Sequence, residues 1–242
     1  MIVLIRKDPA VSTLPSNPSP PQDQTSTCRL LALPPEIRNQ IWHDVLVQNL
    51  HPRLPLHHFP AVEASVRGPT RFCARILRTC RQIHAETTPI LYGENVFWAH
   101  PTLLATMPKF LLIARPNRVT LPSPIVEPRV RKLIKRYFIF VRLDIDPRYS
   151  KTQVEESFNG VEALHIEVFQ AMYGSCDFAV LKLFEGVRGV GKVTLEGSLG
   201  DRRYAEWLAQ TMELPMGEEA RPFSEEYVGG MKEWSAWQRG VR

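Results

Sequence analysis

Residues 30–47 read LLALPPEIRNQIWHDVLV. Pro34 and Pro35 interrupt an apolar run and open a helix, a position where a fixed φ and a missing N–H cost nothing. Glu36 falls in the first turn, where a carboxylate suits the positive end of the helix dipole. Ile37, Ile41 and Val45, flanked by Trp42 and Leu46, form an apolar stripe at helical spacing, with Arg38, Asn39, Gln40, His43 and Asp44 turned elsewhere. Leu31 or Leu33 is placed to fold back on that stripe as a hydrophobic staple. Such a helix start is built to dock on something.

A companion segment, residues 76–98, reads ILRTCRQIHAETTPILYGENVFW. Ile76, Leu77, Cys80, Ile83 and His84 recur at helical spacing. Pro89 is expected to begin a second short turn, ended by Gly93 in a left-handed conformation, and Val96-Phe97-Trp98 reads as a short strand. Isolated helices of this length are marginal in water. The two segments are therefore expected to pack together, Ile37, Ile41 and Val45 against Leu77, Cys80 and Ile83, with Arg78 and Arg81 pairing with Glu86 or Glu94.

Both segments resemble the fungal F-box-like proteins. The resemblance rests on Leu33-Pro34-x-Glu36-Ile37-Arg38, on Leu77-Arg78-x-Cys80-Arg81-Gln82-Ile83, on Glu86, and on Pro89-Ile90-Leu91-Tyr92-Gly93-Glu94-Asn95-x-Phe97. It covers residues 30–47 and 76–98 and says little about the rest. It implies a small helical module in which Leu33, Pro34, Ile37 and Ile41 contact a Skp-type adaptor of a cullin ubiquitin ligase, the following part binding a protein substrate. A proline-rich insertion at 51–69 makes the gap between the two helices longer than in an ordinary F-box.

The chain of 242 residues, 44% hydrophobic and 23% charged, has an ordinary globular composition and is long enough to bury a sizeable core. Met1 to Ile5 is too short for a signal segment, and the apolar stretch Leu103 to Ala114, broken by Pro108 and Lys109, falls short of a membrane span. The expected location is the cytosol or nucleus, where Cys28, Cys73, Cys80 and Cys176, without paired spacing, remain reduced thiols. A net charge of +5 is unevenly spread: Lys109 to Arg142 holds nine Lys/Arg against Glu127 alone, whereas Ser150 to Arg242 holds ten against fifteen acids. A basic middle beside an acidic end means either an anionic partner or two mutually attracting parts.

Along the chain, residues 1–27 are expected to be disordered, because Pro, Ser, Thr, Asn and Gln dominate 9–27. Residues 28–98 form the F-box-like module, and residues 99–242 an α/β region. There, Leu103 to Ile113 reads as a helix interrupted at Pro108. Strands are expected at Ile134 to Asp144, Val161 to Phe169 and Val190 to Leu195, and helices at Phe178 to Glu185 and Arg203 to Glu213. That order favours a small sheet with parallel neighbours. A C-terminal helix, Phe223 to Gln238, places Tyr227, Met231, Trp234 and Trp237 on about one face. The fold class is thus α+β, a helical module packed with a small α/β sheet region.

No constellation carries enzyme chemistry, so no catalytic residue, cofactor or metal site is expected. Gly186-Val187-Arg188-Gly189-Val190-Gly191-Lys192 fits a phosphate-loop pattern, but Val193 stands where Mg²⁺ needs Ser or Thr, and the expected helix-then-strand order reverses the context the motif requires. His57 and His58 lack further ligands at metal spacing, and Cys73 and Cys80 read as small packing groups. Asp144 and Asp146 precede Pro147 at a strand end, where they suit a turn. Arg129, Arg131, Lys132, Lys135 and Arg136 make the best basic patch. Three readings stay open: a substrate-recruiting adaptor, a self-contained scaffold whose helices only complete its own core, and, behind these, a nucleic-acid or chromatin binder.

Overall fold

The computed structural model describes residues 28–48, 73–115, 118–120, 123–170, 179–199 and 202–223. The expectations for 1–27, for the 51–69 insertion with His57 and His58, for Cys176 and for the C-terminal helix beyond Phe223 lie outside these residues. The chain divides into two compact units, residues 1–40 and 41–242, and the division falls within the first helix, α1 (Pro35–Leu46).

In the first unit a turn over residues 29–32 leads into α1, which starts at the second proline as expected. The inward residue here is Arg38, 7% exposed, while Ile37 is 43% exposed. This rotates the buried face away from the Ile37 stripe. The cause is hydrogen bonding: Arg38 Nη1 donates to the carbonyl of Leu31 at 3.2 Å and to that of Leu33. A buried guanidinium is tolerated because it finds acceptors that would otherwise be stranded.

The second unit opens with the rest of α1, where Trp42 and Leu46 are fully buried and Ile41 and Val45 are half-buried. A short 3-10 turn (Ala74–Arg78) then precedes α2 (Arg81–Glu94). Cys80 is the N-cap of α2, its Sγ accepting from the Ile83 N–H at 3.5 Å, and Cys73 is exposed, so neither thiol is a packing group on one helix face. The expected break at Pro89 is absent. Thr87 and Thr88 hydroxyls donate to the carbonyls of Ile83 and His84, both at 2.6 Å, so that neither side chain competes for the backbone elsewhere on the turn before the proline. Gly93 is not left-handed either, because Asn95 caps the helix with its side chain, donating to the Leu91 carbonyl at 2.9 Å.

β1 (Val96–His100) enters a five-stranded sheet with β2 (Leu104–Phe110), β5 (Arg136–Arg142), β6 (Ala163–Phe169) and β7 (Lys192–Gly197), in the order β2-β1-β5-β6-β7. Only β2 is antiparallel; β1 pairs with β5 parallel through Phe97 and Tyr137, and β5, β6 and β7 follow in parallel. The expected helix at Leu103 to Ile113 is instead β2 followed by β3 (Leu112–Arg115), which pairs with β4 (Arg118–Thr120). Pairing with β1 overrides the local pattern, and Pro108 is accommodated because β2 lies at the sheet edge, where a missing ladder N–H is harmless.

A short helix α3 (Pro128–Arg131), capped by Glu127, precedes β5. Between β5 and β6 runs α4 (Lys151–Phe158), a helix beyond those expected, opened by Ser150 and Gln153 in a complete capping box. After β6, α5 (Ala179–Lys182) is shorter than expected, and α6 (Arg202–Glu213) closes the described chain much as its spacing predicts. One sheet face carries Phe97, Ala99, Tyr137, Ile139, Val141, Leu164, Ile166 and Val168 into the core with Val154 and Phe158 of α4, Leu181 of α5, and Tyr204, Leu208 and Met212 of α6. Tyr137, Phe158 and Phe184 meet there at ring separations of 5.7 and 6.2 Å. On the other face Phe138 lies between Trp98 and His165, at 6.1 and 5.1 Å. No described helix is long and apolar enough to cross a membrane.

Candidate interaction surfaces

Of the four residues singled out for adaptor contact, three belong to the first unit. Pro34 and Ile37 are exposed and Leu33 is half-buried, while Ile41, in the second unit, is half-buried. Pro34 and Ile37 owe their exposure to Arg38, which takes the inward position and holds the turn before the helix by its carbonyls. An isolated exposed isoleucine is unremarkable on a surface, but one beside an exposed proline at a helix start makes an apolar corner of the kind a partner can cover.

Within the second unit, α1 and α2 are joined through groups that the sequence did not single out. Trp42 Nε1 donates to Glu86 Oε2 at 3.0 Å, and Glu86 also accepts from Gln82 at 3.1 Å. Asn95, 1% exposed, accepts from the Gln48 backbone N–H at 2.9 Å and donates to the Leu46 carbonyl at 2.8 Å. Gln48 Nε2 then donates to the Leu111 carbonyl at 3.2 Å. The sequence signal for this bracket was present: Asn95 and Glu86 both belong to the family-like motif, where a buried polar residue reads as a surface one until its partners are known.

The basic segment does not remain one patch. Arg136 pairs with Glu94 at 2.9 Å and Glu162 at 2.6 Å, so Glu94 serves Arg136 rather than Arg78 or Arg81. These ion pairs are half-exposed and contribute at most about 1 kcal/mol each. Arg131 turns to the sheet edge and donates from Nη1 to the Thr106 carbonyl at 2.7 Å, while the Ile125 N–H caps the next outward carbonyl, that of Pro108, at 2.8 Å. Two carbonyls of the β2 edge are thereby covered, as natural sheets commonly arrange. Arg131 also opposes the upward shift of Tyr137, whose burial pushes its hydroxyl to about 12. Arg129, Lys132 and Lys135 are left exposed.

The carboxylate and glycine-loop features are structural in form. Asp144, its side chain 4% exposed, lies in the bend after β5 and is held by Arg142 through bonds of 3.1 and 2.7 Å. The loop of residues 186–192 follows α5 and runs into β7, the reverse of the strand-then-helix order that cradles phosphate. Its glycines have packing reasons: Gly189 has φ +71°, and a Cβ on Gly191 would lie 2.7 Å from the Glu162 carbonyl oxygen. Among the described residues no group of three or more His, Cys, Asp or Glu is placed to hold a metal ion. Comparison with family models, curated proteins and solved structures returned no match.

Proposed function

We propose that this protein is a non-enzymatic interaction protein whose N-terminal F-box-like segment docks on a Skp-type adaptor of a cullin ubiquitin ligase, the α+β remainder holding a substrate. The observation that carries this reading is the exposure of Ile37, 43%, beside exposed Pro34 at a helix start whose own inward position is occupied by Arg38. An apolar group left outside at a site where the sequence offers a polar alternative suits a surface that a partner covers. Co-expression of the full chain with a Skp-type protein, followed by affinity capture, tests it. Capture is expected with the wild type and is expected to fail for Ile37→Asp, with the melting temperature of the two chains unchanged. Capture of neither, or of both equally, would sink the reading.

A second reading, the self-contained scaffold, is favoured by the hydrogen bonds from Arg38 to Leu31 and Leu33, which close the helix start on its own chain. In that case the wild type captures no adaptor, and Ile37→Asp changes neither binding nor stability.

A further inference from the structure

The β1–β2 end of the sheet offers a recess with a chemistry of its own. The β1–β2 turn, Arg131 of α3 and one side of α4 enclose a cleft of about 350 Å³, lined by Leu103, Leu104, Arg131, Gln153, Glu156 and Ser157 among others. That volume is at the lower end of small-molecule sites. Its lip is apolar, since Leu103 is 46% exposed. Leu104, beside it, is the one non-glycine residue with positive φ among those described, at +50°. Strained backbone of this kind persists where the surroundings hold it, and it concentrates at ligand-contacting turns.

Charge distribution within the cleft is the decisive feature. Among the described residues Arg131 makes a single hydrogen bond, Nη1 to the Thr106 carbonyl, and its buried Nε–H finds no acceptor. Glu156 lines the same cleft, yet no ion pair joins the two among the described residues. Ser157 adds a hydroxyl, and Gln153 an amide whose Oε1 already accepts the Ser150 N–H. A cation and an anion that share one recess without pairing suit a ligand that brings an acceptor to the first and a donor to the second. An arginine with donor capacity to spare favours a carboxylate, to which its hydrogen bonds are charge-assisted and strong.

We propose that this cleft binds an α-carboxylate with a neighbouring N–H donor and an apolar side chain: carboxylate on Arg131, donor on Glu156, side chain over Leu103. A free apolar amino acid and the C-terminal residue of a peptide both carry that chemistry. The proposal is independent of adaptor docking, which concerns Pro34 and Ile37.

Titration of the full-length, isotope-labelled chain with L-leucine, N-acetyl-L-leucine and N-acetyl-L-leucinamide, followed by backbone amide shifts, tests it. Saturable shifts at Leu103, Arg131 and Ser157 are expected with one or both carboxylates. The leucinamide should bind at least about tenfold more weakly, the loss of one charge-assisted contact. Tighter binding of leucine identifies the free amino acid as the ligand type, and equal or tighter binding of the acetylated form identifies a chain end. Arg131→Gln should weaken the carboxylates by a similar factor and leave the leucinamide unaffected. Should that variant fail to fold, the leucinamide comparison on the wild type still decides. Equal binding of leucinamide and carboxylates, shifts elsewhere only, or no saturable shift with any of the three would overturn the proposal.

Discussion

The side-chain amide of Asn95 accepts the backbone N–H of Gln48 at 2.9 Å, and from its nitrogen it donates to Leu46 and Leu91 at 2.8 and 2.9 Å. One buried side chain thus ends two helices, receiving the chain as it leaves α1 and capping α2. Each of the three backbone groups would be stranded without it.

Asn95→Ala is therefore expected to be among the costly substitutions in this protein. A buried backbone group left unsatisfied costs about 1–3 kcal/mol, so a loss of about 3 kcal/mol or more is expected in urea unfolding. Asn95→Asp keeps the acceptor but loses both donors and buries a charge, and it should be no better. A loss below about 1 kcal/mol for both variants would show that water or neighbouring groups replace the bracket.

The orientation of α1 makes a second prediction. Leu46 is fully buried while Ile37 is 43% exposed, although the sequence pattern placed both along the apolar side. Leu46→Ala should cost about 2–5 kcal/mol, whereas Ile37→Ala should stay within about 0.5 kcal/mol, as surface changes do. Urea melts of the two variants read the rotation of the helix directly. Comparable losses would mean that Ile37 is held inside.

Gly197 and Gly160 both have positive φ, at +102° and +70°, but they differ in the space around them. A Cβ on Gly197 would lie 2.1 Å from the Val168 carbonyl oxygen, whereas one on Gly160 meets nothing within 4 Å. Gly160→Ala should thus cost about 1–2 kcal/mol, the left-handed penalty alone. Gly197→Ala must in addition push β7 from the end of β6, so its melting temperature should fall clearly further. Equal falls would show that the strand end yields without cost.

His165, stacked on Phe138 at 5.1 Å, has its pKa held down by burial, with the charge of Glu196 opposing. The unfolded chain takes up a proton near the ordinary value of about 6.5, and the folded chain resists it. Below that pH the unfolded state binds more protons, so stability falls as pH drops and levels off once the folded imidazole is also protonated. Above about pH 7 His165 adds no slope. His165→Gln should flatten the decline in stability between about pH 7 and 5, whatever its effect at neutral pH. An unchanged slope would assign the acid sensitivity to other groups.

Local sequence determined the elements whose signals are local. Pro35 starts α1, the alternation Tyr137, Ile139, Val141 makes β5, and the apolar spacing of α6 predicts its span within a residue. The parallel order of β5, β6 and β7 also followed from strand and helix succession. Of the candidate surface, Pro34 and Ile37 were singled out through the family-like motif, but the apolar pattern also placed Ile37 against the second helix, and neither signal gave the inward turn of Arg38 beside an exposed Ile37. The tertiary structure alone decided that Arg38 turns inward, that Pro89 stays within α2, that Leu104 to Phe110 is an edge strand, and that Arg131 and Arg136 leave the basic strip for the Thr106 carbonyl and for Glu94 and Glu162. For the two arginines of the basic strip the physical reason is plain. Periodicity reports which side chains avoid water, but backbone carbonyls and buried charges choose their partners across the fold, from residues 25 or 26 positions away as readily as from the next turn.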